Sequence, residues 1–224
     1  MPYPIQLEIS GPTAMWTRPD TGAAPVSAVV PSPSAAKGIF ESVLRWKSVN
    51  IVPTRVEICR PVQFHRYATN YGGPLRKSDQ IKSGASFQQH AIVLINVCYR
   101  LYADVTFAQH YAGDKTRGQI ELRRDKSKRA HGFTTCPQHA FQDAFNRALR
   151  RGTFHAYPCL GLSDFPADYA GEFRPETKIC ETENHVIPTL LKSVFNGPQS
   201  GKWKPTFLNN LIVRNGVLEY SQNA

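Results

Sequence analysis

Hydrophobic residues recur along the chain at two spacings, and each spacing predicts a different element. Apolar and polar residues alternate over residues 5–9, which predicts a first strand, and residues 50–61 predict a second. Residues 87–107 are rich in Ile, Val and Tyr, and their alternation predicts a long central strand. A further strand is predicted over residues 153–162. The pattern therefore indicates a chain rich in strands.

Two segments instead carry apolar residues at helical spacing. One helix is predicted from about Ala35 to Trp46, after a Ser32 cap and with Pro33 in its first turn. A second helix is predicted from Pro137 to about Arg151, and Gly152 follows it at the position that commonly ends a helix.

The remaining segments predict a long loop in the middle of the chain and a strand-rich tail. Residues 66–86 predict a long basic loop, and loops of that length in compact domains are usually functional or disordered. The tail changes character at about Glu172, and residues 186–195 and 207–220 are strand-like. Asn215-Gly216, flanked by apolar residues, predicts a two-residue hairpin turn.

The predicted order is strand, helix, strand, strand, helix, strand, followed by extra strands. This is the split βαβ, or ferredoxin-like, arrangement that is common among RNA-binding proteins. We therefore expect an α+β protein in which residues 1–171 form a ferredoxin-like domain and residues 172–224 a small antiparallel β subdomain. A length of 224 residues suits one domain with a small appendage.

The net charge of the chain indicates which class of partner it binds. The formal net charge of +10 favours a polyanion, either a nucleic acid or an anionic membrane surface, over the alternative of a basic protein with a solvated surface. No apolar run approaches the roughly 18 residues of a membrane span. The first residues lack a basic region followed by an apolar stretch, so we expect a cytoplasmic protein without a membrane partner.

Cysteines and carboxylates argue against metal chemistry. The five cysteines are far apart and form no C-x-x-C pair, which predicts reduced thiols and neither a zinc site nor a disulfide framework. Acidic residues are too scattered for a two-metal nuclease. We expect no metal and no other cofactor.

Basic residues cluster in two places that suit phosphate contact, the loop at 66–86 and the segment 115–129. The alternative is that the charge run in 115–129 is a solvated loop. Trp46, Tyr67 and Tyr71 lie beside basic residues and could stack on bases, although we expect Trp46 to pack in the core. The predicted RNA-binding residues are Lys37, Arg76, Lys77, Lys82, Arg117, Arg123, Arg124, Lys126, Lys128 and Arg129.

Five segments together resemble one protein family in their order and spacing. They are residues 11–19, residues 30–39 with Glu41-Ser42, residues 87–105, residues 150–155 with Leu160-Gly161, and residues 215–218. The resemblance is to the type I-C (Dvulg, subtype "d") Cas-five family of CRISPR surveillance complexes, within the RAMP superfamily, and it covers nearly the whole chain.

The resemblance implies a ferredoxin-like RAMP domain with a C-terminal β subdomain. It implies binding of CRISPR repeat RNA at the 5′ handle, assembly with other subunits of a type I complex, and indirect contact with target DNA. It also implies cleavage of precursor CRISPR RNA without metal, in which a ribose 2′-hydroxyl attacks the adjacent phosphate. Such cleavage requires only a base, an acid and charge stabilisation.

The family's catalytic set is a Tyr near the end of the first helix and a Lys-His pair at the start of the second. Gln138-His139 aligns with the pair, so the His is present and the Lys is not, and residues 42–47 contain no Tyr. His139 would act as acid or base, and Arg45 or Lys47 would replace the Lys in stabilising the pentacoordinate phosphate. The alternative is that His139 is an exposed residue of a first helical turn.

Three hypotheses follow for the function. The chain is an RNA-processing subunit that cleaves repeat RNA and stays bound to the handle, or a non-catalytic subunit that caps the handle while another protein does the processing. The third hypothesis is a basic RNA-binding protein unrelated to CRISPR. The first two differ only at the catalytic positions.

Overall fold

The computed structural model describes residues 3–22, 24–71, 77–84, 87–107, 136–194 and 204–221. In these parts of the chain the elements are, in order, β1 (Tyr3–Ala14), α1 (Pro33–Val43), β2 (Val49–Ile58), β3 (Phe64–Tyr71), α2 (Ser78–Lys82), β4 (Phe87–Phe107), α3 (Pro137–Arg151), β5 (Tyr169–Gly171), β6 (His185–Ser193), β7 (Thr206–Val213) and β8 (Val217–Glu219).

The main sheet is built around the 21-residue strand β4. Its strand order is β5-β1-β4-β2-β8, with β3 also paired to β4. Every neighbouring pair is antiparallel. The protein is therefore an α+β fold on an antiparallel sheet, and β4 has the bounds that its alternating pattern predicted.

One face of this sheet is apolar and supports both long helices. Leu7 of β1 and Leu101 of β4 are fully buried in the same core cluster as Phe40 of α1 and Phe141 and Phe145 of α3. The Phe40 and Phe145 ring centroids are 5.8 Å apart. The helical spacing of these aromatic residues places them on the inner face of their helices, which holds α1 and α3 against the sheet.

The first helix begins as its sequence predicts and ends earlier. The Ser32 hydroxyl accepts a hydrogen bond from the Ala35 backbone N–H, and Pro33 is the first helical residue. The helix ends at Val43 rather than Trp46, because Leu44 has extended backbone angles (φ −150°, ψ 127°). Arg45, Trp46 and Lys47 consequently lie in the connection to β2.

The predicted strand at residues 153–162 is wrong. The His155 and Ala156 backbone N–H groups donate to the carbonyls of Val43 and Ser42 at the end of α1 (3.1 and 2.9 Å). The segment therefore satisfies the last carbonyls of a helix. Within the described ranges, its strand pairing is one isolated bridge between Cys159 and Pro166.

The predicted loop at residues 66–86 is also wrong in part. Residues 64–71 form β3, which pairs with residues 87–94 of β4, and residues 78–82 form the short helix α2. The alternation in β3 is short and polar, so its pattern alone did not distinguish a strand from a loop.

In its described residues, the tail contains one sheet of its own and one strand that joins the main sheet. β6 and β7 pair antiparallel as a two-stranded sheet. The predicted hairpin turn follows β7, and Asn215 (φ 49°) and Gly216 (φ 75°) have the left-handed angles that such turns require. The expectation that all tail strands form one separate sheet fails for β8, which pairs with β2.

Candidate functional site

The start of α3 is tied to the start of β1. Pro137 occupies the first helical position, Cys136 has the extended angles of an N-cap residue, and His139 lies in the first turn. The Gln142 side-chain amide donates to the Pro4 carbonyl (2.6 Å). This contact holds the first turns of α3 beside the residues with which the first strand begins.

Two side chains flank the imidazole of His139. The Nδ1 atom lies 3.6 Å from Oδ2 of Asp143, one helical turn later, and the two side chains are 49% and 61% exposed. The Tyr3 ring approaches the imidazole edge-on, with ring centroids 6.1 Å apart. The imidazole is thus open to solvent and has a carboxylate at one nitrogen and a phenol at its side.

Cys136 and Tyr3 form a hydrogen-bonded pair at the same place. The Cys136 thiol donates to the Tyr3 hydroxyl oxygen (3.0 Å). When the thiol ionises, the Tyr3 hydroxyl donates to the thiolate instead, and this hydrogen bond is the main cause that raises the pKa of Tyr3. Burial opposes ionisation of Cys136, but the Tyr3 hydroxyl and the backbone N–H groups of His139 and Gln138 outweigh it, so the pKa of the thiol is lowered.

The connection between α1 and β2 lies against the same helix. Trp46 is half-buried against the core, as expected from the sequence, and its ring packs edge-on against Phe141 with centroids 5.5 Å apart. Arg45 and Lys47, on either side of Trp46 in the chain, are exposed. The structure therefore places both predicted phosphate-stabilising side chains on a segment that packs on the first turns of α3.

The predicted RNA-binding residues divide into those that the structure describes and those outside it. Lys37 donates to the Asn50 side chain (2.7 Å) and lies 3.9 Å from Glu41, so its ammonium group links α1 to β2. Lys77 and Lys82 are exposed at the two ends of α2. Seven predicted residues lie outside the described residues: Arg76, Arg117, Arg123, Arg124, Lys126, Lys128 and Arg129.

The aromatic candidates on β3 have different environments. Tyr67 is 42% exposed, and its ring packs edge-on against Phe165 with centroids 6.1 Å apart. His65 and Arg66 beside it are exposed. The Tyr71 side chain lies outside the described residues. Among its described side chains, β3 thus presents two aromatic rings, of Phe64 (51% exposed) and Tyr67, and two basic groups, of His65 and Arg66, at the surface.

The second face of the main sheet carries a buried carboxylate. Glu8 of β1 is 0% exposed, and it accepts hydrogen bonds from Arg174 Nε (2.6 Å) and from the Thr177 hydroxyl (2.8 Å). Arg100 of β4 lies 3.4 Å from its other oxygen. Burial alone would raise the pKa of Glu8, but the Arg174 and Thr177 contacts hold it below its usual value. This network fixes residues 174–177 over the sheet.

A basic cleft opens beside this network. Its volume is about 280 Å³, and the charged residues that line it are Arg60, Arg174, Lys178 and Glu176. The Arg60 guanidinium donates to the side chain of Asn96, a residue in the left-handed region at φ 55°. Sequence reasoning missed this cleft, because its cations come from three separate positions and none belongs to a charge run.

Among the residues that the structure describes, no three His, Cys, Asp or Glu side chains are grouped as metal ligands would be. The helices in the described ranges include none long and apolar enough to cross a membrane. The five cysteines all lie in described segments and are free thiols.

Solved structures share this fold over nearly the whole chain. One described as a CRISPR-associated protein is 17% identical, with a TM-score of 0.64, and the match covers 96% of this chain and 90% of that one. The functionally uncharacterized protein SMU1763c from Streptococcus mutans is 16% identical, with a TM-score of 0.63 and coverage of 98% and 94%. A chain of a CRISPR RNA-guided surveillance complex is 14% identical, with a TM-score of 0.51 and coverage of 96% and 91%. The fold is therefore one found among CRISPR-associated proteins.

The sequence narrows this class to one family. The model of the Cas5d family, described as CRISPR-associated protein (Cas_Cas5), matches residues 5–221, and the chain belongs to that family. A relative from Thermus thermophilus, named CRISPR pre-crRNA endoribonuclease Cas5d, is 24% identical over 74% of this chain and 63% of its own length. A relative of the same name from Mannheimia succiniciproducens is 27% identical over 74% of this chain and 71% of its own. The match to the Thermus relative thus spans less than two thirds of that protein.

Proposed function

We propose that this chain binds CRISPR repeat RNA within a type I surveillance complex, cleaves precursor CRISPR RNA without metal, and holds the 5′ handle afterwards. Membership of the Cas5d family and the names of both relatives support this proposal. The observation that carries it is the position of His139. Its imidazole is solvent-exposed in the first turn of α3, 3.6 Å from Asp143, where the family resemblance expects a catalytic His.

The fold that we infer for this function is ferredoxin-like, with residues 1–171 as the RAMP domain and residues 172–224 as an appendage in which β6 and β7 form their own sheet and β8 joins the main one. The strand order supports the first part, because β5-β1-β4-β2 is the order in which a split βαβ unit arranges its four strands. The chain order also agrees, since α1 joins β1 to β2 and α3 lies between β4 and β5.

The cleavage chemistry that we infer needs few groups. His139 removes the proton from a ribose 2′-hydroxyl, whose oxygen then attacks the adjacent phosphorus. Arg45 and Lys47 stabilise the negative charge on the pentacoordinate phosphate. The bond between phosphorus and the 5′-oxygen breaks and that oxygen takes up a proton, which leaves a 2′,3′-cyclic phosphate on one product and a 5′-hydroxyl on the other.

Basic groups on several surfaces would hold the RNA. The described candidates are Lys77 and Lys82 on α2 and the cleft residues Arg60 and Lys178, whose charges suit a phosphate backbone. The predicted cluster between residues 115 and 129 and Arg76 would add to them. Lys37 would contribute only in part, since Asn50 already binds its ammonium group.

A second candidate function is a non-catalytic subunit that caps the handle. The observation that favours it is the departure from the family's catalytic set, because Gln138 stands at the Lys position and residues 42–47 contain no Tyr. The RNA-binding part of the proposal is the same in both cases.

Incubation of the purified chain with its own repeat RNA in EDTA distinguishes the two functions. We expect one specific cut, a cyclic phosphate at the new 3′ end, and no cut in an RNA with a 2′-deoxyribose at the scissile position. A scrambled RNA of the same length serves as the control for repeat preference. Specific binding without cleavage would support the capping function, and equal binding of the scrambled RNA would reject both.

A further inference from the structure

We propose that Tyr3 is the proton donor to the leaving 5′-oxygen, and thus a second catalytic residue beside His139. This inference rests on the proposed RNA cleavage. It names Tyr3 as the general acid of the reaction in which His139 is the general base. Tyr3 stands outside the segments in which the family resemblance expects catalytic residues, near the start of β1, whereas α3 begins at Pro137. Strand β1 brings it to the site.

The geometry that supports this role is local and consists of three contacts. The Tyr3 ring meets the His139 imidazole edge-on at 6.1 Å between centroids. Its hydroxyl oxygen accepts a hydrogen bond from the Cys136 thiol at 3.0 Å, which holds the phenol at the N-terminal end of α3. The Gln142 amide anchors the neighbouring Pro4 carbonyl at 2.6 Å. A phenol and an imidazole that adjoin in this way can both reach the oxygens of one phosphodiester.

The protonation state of Tyr3 suits an acid rather than a base. The hydroxyl carries its proton at neutral pH, because the pKa of a Tyr is ordinarily 10.0 and the contact with Cys136 raises it further. Asp143 lies at the Nδ1 side of His139, which leaves Nε2 to face a substrate hydroxyl. The His139 imidazole is therefore suited to take the proton of the attacking hydroxyl, and the Tyr3 phenol to give a proton to the leaving oxygen.

The proposed proton transfers balance. His139 takes the 2′-hydroxyl proton as the bond between the 2′-oxygen and phosphorus forms. Tyr3 gives its hydroxyl proton to the 5′-oxygen as the bond between that oxygen and phosphorus breaks. The resulting phenolate recovers a proton from water or from the imidazolium, and no oxidant, metal or further reactant is consumed.

Single-turnover cleavage by a Tyr3→Phe variant tests this role. The variant keeps the ring and removes only the hydroxyl, and thermal unfolding checks that it folds. At saturating protein we expect the rate to fall by about 10² or more, with RNA affinity within about twofold of wild type. Tyr157→Phe is the matched control, since it also removes one hydroxyl hydrogen bond, to the Ala167 carbonyl, and should keep the wild-type rate.

A modified substrate separates an acid from a residue that only positions His139. Sulfur in place of the bridging 5′-oxygen leaves without protonation, so this RNA should restore Tyr3→Phe to nearly the wild-type rate and should not restore His139→Ala. If Tyr3→Phe is as active as wild type on ordinary RNA, or if the sulfur substrate does not restore its rate, Tyr3 is not the proton donor. Either result would leave the proposed cleavage itself standing. A wild-type chain inert on its repeat RNA would overturn the proposed cleavage and this inference with it.

Discussion

Glu8 and Tyr3 show how the fold gives single residues a role that their sequence positions do not indicate. Glu8 is one of the alternating residues of the first strand, and its partner Arg174 lies 166 residues later. Tyr3 and Cys136 are 133 residues apart. His139 could be singled out through the family resemblance, because Gln138-His139 aligns with the family's Lys-His pair at the start of the second helix. The partners around it could not, since strand pairing alone brings them together.

The Glu8 network predicts a specific loss of stability in acid. Because the pKa of Glu8 is lower in the folded protein than its ordinary value of 4.5, its contribution is complete above about pH 4.5 and is lost as the pH falls through the folded-state value. Glu8→Gln should lower the free energy of unfolding at pH 7 by about 3 kcal/mol, because Arg174 and Arg100 lose their counter-charge. It should also flatten the dependence of stability on pH below 4.5.

Urea unfolding between pH 3 and pH 7 measures both effects. Glu219→Gln is the matched control, since that carboxylate is 46% exposed and 3.9 Å from Arg55, and the change should cost well under about 1 kcal/mol. If the free energy of unfolding depends on pH equally in wild type and Glu8→Gln, the pKa of Glu8 does not change on unfolding, and this prediction is wrong.

At the scale of elements, the sequence predicted best where a long pattern met a clear stop signal. The helix α3 ends at Arg151 and Gly152 follows it in the left-handed region (φ 65°), as predicted. The strand predicted at residues 153–162 failed, because its backbone groups bind the end of α1 and the end of β1. Met15 N–H donates to the Leu160 carbonyl (2.9 Å), a contact between distant segments that no local pattern predicts.

Gly161 makes this close approach possible, and its replacement should be costly. Gly161 has φ 99°, and a Cβ there would lie 1.8 Å from the Met15 carbonyl oxygen. Gly161→Ala should therefore lower the unfolding free energy by about 4 kcal/mol through strain and backbone displacement. Gly152→Ala is the control, because that glycine is also left-handed but has no atom within 4 Å, and it should cost about 1 kcal/mol. If the two variants unfold at similar urea concentrations, the loop that contains Gly161 does not pack closely against Met15.

For the whole molecule, composition indicated the class of partner and the order of elements indicated the α+β fold. The net charge of +10 pointed to a polyanion before any fold was known. The basic cleft and the pairing of β8 with β2 were not predicted, since a three-residue strand and cations scattered along the chain leave no periodic signal. Both depend on the tail returning to the main sheet.

The proposed RNA contacts predict a change in salt dependence. Neutralising Lys77, Lys82, Arg60 and Lys178 together should weaken repeat-RNA binding and reduce the slope of log affinity against log salt by about 0.7 for each phosphate that the variant no longer neutralises. Arg18→Gln is the control, since Asp20 already pairs with that guanidinium at 2.6 Å. Titrations at several salt concentrations measure the slopes, and a slope equal to wild type in the fourfold variant would exclude these residues as phosphate ligands.

The comparison of His139→Ala with wild type in EDTA tests most directly whether the start of α3 is an RNA-cleaving site. Single-turnover rates on repeat RNA are measured at saturating protein, with affinity measured in parallel and His90→Ala, an exposed histidine of β4, as the control. We expect His139→Ala to lose about 10²–10⁴ in rate at unchanged affinity, with His90→Ala cleaving as wild type does. A His139→Ala variant that cleaves at the wild-type rate would contradict the assignment.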